Sequence, residues 1–115
     1  LSYKDKGGLN KPLEVEWLMG SALLLERKRF EKIGGKFDER FFMYFEDADL
    51  CRRFREAGFK AVYYPLTEMT HYHGKASVGG KGIFDIFGNW LTRVHIASYL
   101  KYLWKWKVES RLKRV

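Results

Sequence analysis

The chain has 115 residues, of which 46% are hydrophobic, and a formal net charge of +8 at pH 7, so it can form one modest domain with a core of its own. Its single cysteine excludes an internal disulfide and a cysteine-rich zinc site, and a reducing, cytoplasmic location is the default expectation. No uninterrupted apolar run approaches the roughly 20 residues that a membrane-spanning helix needs.

The first informative segment is an apolar run over residues 17–25. We expect this run to form a buried strand of a central sheet. Gly20 interrupts it, which is typical of a point where a ligand or another backbone comes close. Residues 27–33 then predict a short helix that ends at Gly34 and Gly35, because glycine readily adopts the left-handed conformation past a helix end.

Residues 37–53 place five carboxylates in an aromatic-rich segment, namely Asp38, Glu39, Glu46, Asp47 and Asp49. Ionised acids are costly to remove from water, so carboxylates held among aromatic side chains are either paired or used in chemistry. From residue 46 the inward positions recur every three or four residues, which predicts an amphipathic helix that ends at a glycine, residue 58. Residues 60–64 predict a short strand that stops at a proline.

Asp47 falls on the inward face of this helix, in its first turn. Asp49 lies two positions later, roughly 200° around the helix axis, so we expect it to face solvent or the arginines. The two carboxylates therefore cannot hold one ion together, although Asp47-Ala48-Asp49 has the letters of a nucleotide-sugar metal motif. For Glu46 and Asp49 the alternative is a structural role, because the helix dipole favours acids in the first turn.

Ordered positions between about residues 15 and 77, roughly half of the chain, carry a family resemblance. They include Trp17, Gly20-Ser21-Ala22, Phe37-Asp38-Glu39, Glu46-Asp47-Ala48-Asp49-Leu50-Cys51, Gly58 and Pro65. This pattern resembles the second half of family-2 glycosyltransferases, and rhamnosyltransferase-like members that build bacterial and archaeal surface polysaccharides are most similar. The resemblance implies an α/β fold, a partial nucleotide-diphospho-sugar transferase fold of the GT-A type, and the pattern of residues 81–115 adds a carboxyl-terminal helical tail.

The resemblance also implies roles for individual residues. It matches Asp47 to the family's catalytic base, which takes the proton of an acceptor hydroxyl during inverting transfer. Glu46, Trp17, Gly20 and Asp38 are expected to bind the acceptor or to shape its site. Core packing is an equal alternative for Trp17, and Asp38 could instead cap the next turn.

Two of the three histidines, His71 and His73, follow shortly after the predicted strand. In the family, a histidine at this place helps to bind the divalent ion that neutralises the leaving diphosphate, which suits a neutral imidazole nitrogen. His71 is the better match, and His73 is the other candidate. The resemblance implies that this metal, Mg²⁺ or Mn²⁺, is bound mainly by the amino-terminal half of the enzyme, which this chain lacks. Either histidine could instead close a turn by hydrogen bonding, and His95 is expected to be structural.

We expect residues 1–80 to form the acceptor-side half of a glycosyltransferase catalytic domain and residues 81–115 to form a basic, aromatic-rich helical tail. A complete enzyme of this fold needs roughly twice the present length. The chain is therefore interpreted as a carboxyl-terminal piece of an inverting hexosyltransferase, with little activity in isolation. The expected partners are a nucleotide-sugar donor and a glycan or lipid-linked acceptor, and nucleic acid is not expected.

The tail carries eight of the 22 basic residues and only two of the 14 acidic residues. Its mixture of apolar and basic residues predicts one or two amphipathic helices. Three interpretations stay open, namely packing on the core, contact with an anionic membrane and connection to later membrane segments. Membrane contact would place the protein peripherally on the inner face of the plasma membrane. The rival function is a non-catalytic binding module whose tail contacts a membrane or a partner protein.

Overall fold

The structure, a computed structural model, describes residues 11–71, 89–109 and 111. Strand β1 spans Leu13–Val15, helix α1 spans Arg27–Lys32, helix α2 spans Glu46–Glu56, strand β2 spans Ala61–Tyr63 and helix α3 spans Trp90–Leu103. A π-helical segment over Trp104–Glu109 continues α3. The two strands pair antiparallel, with Glu14 opposite Val62. Within these described ranges, no helix has both the length and the apolar character needed to cross a membrane.

The ends of α1 and α2 follow the glycine pattern. Gly34 and Gly35 follow α1 with φ angles of 104° and 63°, and Gly58 follows α2 with a φ angle of 81°. These angles lie in the left-handed region, where a side chain would meet a steric penalty that glycine avoids. The predictions of helices over residues 27–33 and from residue 46, and of a strand within residues 60–64, are confirmed.

The prediction of a buried strand over residues 17–25 is wrong. The segment contains a turn at Gly20 and no strand, and Leu24 is fully exposed. The sheet of the described residues has two strands of three residues each, so it has no central position that the run could occupy. Leu23 and Leu25 instead line an apolar cavity of about 490 Å³, together with Leu50 and Phe54 of α2.

Helix α2 is the centre of the described core. Leu50, Cys51 and Phe54 are buried on it, and Ala61 of β2 is buried as well. Asp47, in the first turn of the helix, is also buried. The predicted inward face of the helix is therefore confirmed at Asp47, Leu50, Cys51 and Phe54, and it is wrong at Ala57, which is exposed.

The loop before α2 has an unusual backbone. Tyr44 and Phe45, neither of them glycine, have φ angles of 67° and 69°. The left-handed conformation costs roughly 1–2 kcal/mol per residue with a side chain, so contacts from elsewhere must stabilise it. Helix α3 provides them. The hydroxyl of Ser98, a residue only 2% exposed, donates a hydrogen bond to the Met43 carbonyl at 2.7 Å, and the His95 ring stacks on Tyr44 with centroids 4.6 Å apart.

The tail thus packs against α2 and the loop before it. The side chain of Asn89 accepts a hydrogen bond from the Leu91 amide at 3.0 Å and caps α3. Tyr102 contacts Phe45, with ring centroids 5.4 Å apart, and the guanidinium of Arg52 lies 4.4 Å from the Trp106 ring centroid. Packing of the tail on the core is confirmed for residues 89–109, whereas residues 81–88 lie outside the described part.

We expect Ser98→Ala to lower the free energy of unfolding by about 1–3 kcal/mol, because it leaves the Met43 carbonyl without its partner at a buried contact. The measurement is urea denaturation of the 115-residue chain. Arg93→Ala is the control, since Arg93 is an exposed residue of the same helix and both arginine and alanine favour helix. Equal stability of the Ser98 variant and the parent chain would contradict the expectation.

Candidate active site

Asp47 is held at the start of α2 by backbone groups. Its Oδ2 accepts a hydrogen bond from the Gly20 amide at 2.7 Å, and its Oδ1 accepts one from the Ala48 amide at 2.7 Å. The residue is 9% exposed. None of the ion pairs found among the described residues includes it. The carboxylate is therefore fixed in place without being neutralised by a lysine or arginine of this part of the chain.

Gly20 lies directly against this carboxylate. A Cβ atom added at Gly20 would come 3.4 Å from both the Cβ and the Oδ2 of Asp47. The short hydrogen bond from the Gly20 amide thus depends on a turn that brings the two backbones together, and a Cβ atom at this position would be in van der Waals contact with Asp47. Gly20 and Asp47 are two of the sequence-predicted site residues that the structure brings into contact.

Asp49 lies on the other side of α2. It is 0% exposed, and its Oδ2 accepts a hydrogen bond from Arg53 Nε at 3.0 Å. Its Oδ1 lies 2.6 Å from Lys105 Nζ and accepts a hydrogen bond from Trp106 Nε1 at 2.9 Å. The prediction that Asp49 points away from Asp47 and towards an arginine is confirmed, and the solvent alternative is wrong because the tail covers this face.

Asp38 is bound in the same network. Its Oδ2 lies 2.6 Å from Arg40 Nη2 and 2.7 Å from Lys105 Nζ. The hydrogen bonds from Arg40, with a further contribution from Lys105, hold the pKa of the Asp38 carboxyl well below its ordinary value. Its Oδ1 also accepts a hydrogen bond from the Arg40 amide at 3.1 Å. This bond forms a turn, which was the predicted alternative to acceptor binding for Asp38. Arg40 extends the network to Glu109 at 2.9 Å.

Glu46 and Trp17 are also predicted site residues, but neither belongs to this network of ion pairs. The Oε2 atom of Glu46 is buried and has no hydrogen-bond partner among the described residues. Buried carboxylate oxygens are rarely left unsatisfied, so this atom points to a partner from outside the described structure. Trp17 is about half exposed and does not belong to the core.

The predicted metal ligands are only partly described. His71 is exposed at the end of the described segment, and His73 lies outside the described residues. Across residues 11–71, 89–109 and 111, no group of three or more histidine, cysteine, aspartate or glutamate side chains could hold a metal ion. The described residues do not by themselves fit a complete metal site.

Two cavities flank α2. The apolar cavity described above includes Cys51, and burial raises the pKa of its thiol. A second cavity, of about 370 Å³, is lined by Asp38, Arg40, Arg53 and Lys105 among others. Asp47 does not line either of these two cavities.

Sequence reasoning missed the roles of Lys105 and Trp106. Both residues bind Asp49, yet they lie in a tail whose basic and aromatic residues were assigned only to helix faces and surface charge. No local spacing links them to α2, because 57 positions separate Trp106 from Asp49. The one available signal was the group of acids in an aromatic-rich segment, because buried acids need cations from elsewhere in the chain.

Residues 8–77 match the model of a family described as the N-terminal domain of galactosyltransferase, and the chain belongs to this glycosyltransferase family. It is 52% identical over 58 residues to an N-acetylglucosaminyl-diphospho-decaprenol L-rhamnosyltransferase of Mycobacterium tuberculosis (strain CDC 1551 / Oshkosh), a match covering 50% of this chain and 19% of that protein. It is 33% identical over 96 residues to the rhamnosyltransferase WbbL of Escherichia coli (strain K12), covering 84% of this chain and 33% of WbbL. No solved structure matches.

The chain spans between about a fifth and a third of the length of these curated relatives. Its family and its mixed helix and strand structure fit a partial nucleotide-sugar transferase fold. The family match includes Gly20, Asp38, Glu46 and Asp47 but stops before α3.

The ion pairs of Asp38 predict a loss of stability in acid. A carboxyl whose folded-state pKa lies below the ordinary value of 3.8 stabilises the fold above that pH, and this contribution is lost as the pH falls through the folded-state pKa. We expect the free energy of unfolding to begin to decrease as the pH falls towards 3.8 and to continue to decrease below about pH 3, and Asp38→Asn to flatten part of that decrease. Urea denaturation at several pH values measures both.

Glu39→Gln is the matched control for this prediction. Glu39 is the exposed neighbour of Asp38, and the ion pairs of the described residues do not include it. This variant should keep the pH dependence of the parent chain. The same pH dependence in Asp38→Asn as in the parent would contradict the assigned role of Asp38.

Proposed function

We propose that this chain is the acceptor-side part of an inverting glycosyltransferase, of the family-2 and GT-A type, in which Asp47 is the general base. The enzyme would transfer a sugar from a nucleotide-sugar donor to a glycan or lipid-linked acceptor. The observation that carries the proposal is the difference among the acids. Asp38 and Asp49 are neutralised by cations, whereas Asp47 is held by two backbone amides.

A proton acceptor needs an available lone pair and a fixed position. Two backbone donors occupy two of the roughly four acceptor positions of a carboxylate, so Asp47 keeps capacity for an acceptor hydroxyl. In the proposed step, that hydroxyl oxygen bonds to the anomeric carbon as its proton moves to Asp47. The bond between the anomeric carbon and the nucleoside diphosphate breaks, and its electron pair leaves with the diphosphate. Attack opposite the leaving group inverts the configuration.

Neighbouring residues supply acceptor contacts in this proposal. Glu46 is partly exposed beside Asp47, and a sugar hydroxyl would donate a hydrogen bond to its carboxylate. The half-exposed indole of Trp17 offers an apolar face for stacking on a sugar ring. Gly20 has no side chain, so it leaves the space beside the Asp47 carboxylate open. We assign Asp38 a supporting role, because its carboxylate oxygens are bound by Arg40 and Lys105.

The proposal includes a divalent metal, Mg²⁺ or Mn²⁺, held mainly by parts of the enzyme outside this chain. His71, or else His73, would contribute an imidazole ligand. When bound, the metal would neutralise the charge that develops on the leaving diphosphate. The names of the relatives make a rhamnosyl donor and a polyprenyl-diphosphate-linked acceptor the first candidates to test.

Asp47→Asn in the complete enzyme should lower kcat by about 10²–10⁴-fold, because an amide cannot take the proton. Donor binding should stay close to that of the parent, since the nucleotide is bound elsewhere in this proposal. The readouts are release of free nucleotide and titration with the nucleotide sugar. Glu39→Gln makes the same chemical change at an exposed neighbour and should keep full activity. Turnover of the Asp47 variant at the parent rate would refute the proposal.

We also propose that the enzyme works peripherally at the cytoplasmic face of an anionic membrane, where a lipid-linked acceptor would lie. Ile96, Leu100 and Trp104 are exposed and follow one another at intervals of four residues, so they form one stripe along the outer side of the tail. Exposed Arg93 lies on the same helix, and Lys101, next to Leu100, donates a hydrogen bond from Nζ to the Arg40 carbonyl at 3.0 Å. Apolar side chains beside basic ones are typical of helices that lie in the interface of an anionic bilayer.

The double variant Leu100→Ser and Trp104→Ser should lose most of the binding of the 115-residue chain to anionic phosphatidylglycerol vesicles at low salt. The measurement is vesicle co-flotation, and raising the salt should weaken binding of the parent chain. The double variant Leu66→Ser and Met69→Ser, which changes exposed apolar residues far from the tail in sequence, is the control. Absence of parent-chain binding at low salt would remove the membrane part of the proposal.

A further inference from the structure

Lys105 joins two carboxylates that come from different elements. Its Nζ lies 2.7 Å from Asp38 Oδ2 and 2.6 Å from Asp49 Oδ1. The lysine side chain is 14% exposed, and that of Asp49 is 0% exposed. A partly buried ammonium between two carboxylates has little freedom to move, because each acid would lose a compensating charge.

The two acids bracket the segment that carries Asp47. Asp38 lies at the beginning of the loop before α2, and Asp49 lies in the first turn of α2. Between them are Tyr44 and Phe45 in the left-handed conformation, followed by Asp47. One ammonium group therefore fixes both ends of a segment whose backbone would relax if it were released.

Asp47 and Asp49 move together because they share one helical turn. They project from opposite sides of α2, so a rotation or tilt that brought Asp49 towards water would displace Asp47. The 2.7 Å bond between Asp47 Oδ2 and the Gly20 amide would report such a displacement directly. Arg53 and Trp106 also bind Asp49, whereas Lys105 connects Asp49 to Asp38.

We infer that Lys105 is a positioning residue for Asp47: by bridging Asp38 and Asp49 it fixes the first turn of α2 and thereby the direction of the Asp47 carboxylate. The tail then contributes to the active site without contacting a substrate. The catalytic consequence rests on the proposed function, whereas the effect on the position of Asp47 does not.

The structural half of the inference is tested on the 115-residue chain by amide hydrogen exchange. In Lys105→Met, exchange at the Gly20 and Ala48 amides should become at least about tenfold faster. Amides in the last turn of α2 serve as the internal reference and should keep their protection, which separates a local change from general destabilisation. Lys107→Met is the matched control, since Lys107 is an exposed lysine of the same π-helical segment, and it should leave both amides unchanged.

The catalytic half is tested in the complete enzyme. Lys105→Met should lower kcat by about 10–100-fold, since a small displacement of a catalytic group is enough for such a loss. The KM for the nucleotide sugar should stay within about twofold of the parent, because the donor does not contact Lys105 in this arrangement. Lys105→Arg keeps the positive charge and should recover part of the lost kcat.

Unchanged exchange at Gly20 and Ala48 in folded Lys105→Met would overturn the inference, and so would an unchanged kcat. If this variant fails to fold, Asp38→Asn weakens one end of the bridge and leaves Lys105 paired with Asp49. The same local acceleration is then expected, and its absence overturns the inference. Faster local exchange in an enzyme that shows no transferase activity at all would instead refute the proposed function and leave the positioning role standing.

Discussion

The ion pair between Lys105 and Asp49 is the contact on which the described structure depends. A carboxylate with no solvent exposure costs several kcal/mol unless charged or hydrogen-bonding groups compensate it, and Asp49 is such a carboxylate. Its partners come from its own helix, through Arg53, and from the distant tail, through Lys105 and Trp106. The Asp49 side of α2 therefore depends on the tail for its burial. The tail contacts this side through Lys105 and Trp106, which both bind the Asp49 carboxylate.

Asp47 and Asp49, two acids in the same turn of α2, have different surroundings. On one side of α2, cations and an indole hold Asp49 and fix the helix. On the other side, backbone amides hold Asp47 and leave it without a cation among the described residues. The strained loop at Tyr44 and Phe45 leads directly into α2. The tail contacts that stabilise this loop therefore also fix the start of α2, where Asp47 lies.

Several apolar side chains lie on the outer surface of the described residues. The stripe formed by Ile96, Leu100 and Trp104 is apolar and exposed, and Leu24, on a different segment, is fully exposed as well. The chain spans between about a fifth and a third of the length of the two rhamnosyltransferases that it resembles.

The sequence by itself determined the elements whose signals are local. Glycines marked the ends of α1 and α2, and periodicity placed Asp47 and Leu50 on the inner face of α2. The pattern of residues around Gly20 and Asp47 indicated a glycosyltransferase, and the family match supports a glycosyltransferase at that general level. These features depend on neighbouring residues or on helical spacing, so a single chain displays them. The functional roles of the predicted site residues are still predictions.

Only the tertiary structure decided what surrounds the acids. The apolar run over residues 17–25 had the composition of a strand but pairs with no strand of the described residues. It is an irregular segment in which the Gly20 amide donates a hydrogen bond to Asp47. Asp49 had the position of a surface acid, yet Lys105 and Trp106 cover it. Both outcomes depend on contacts between residues far apart in the chain. Hydrophobicity and helical period carry no information about such contacts, because they describe each segment and not the segment that packs against it.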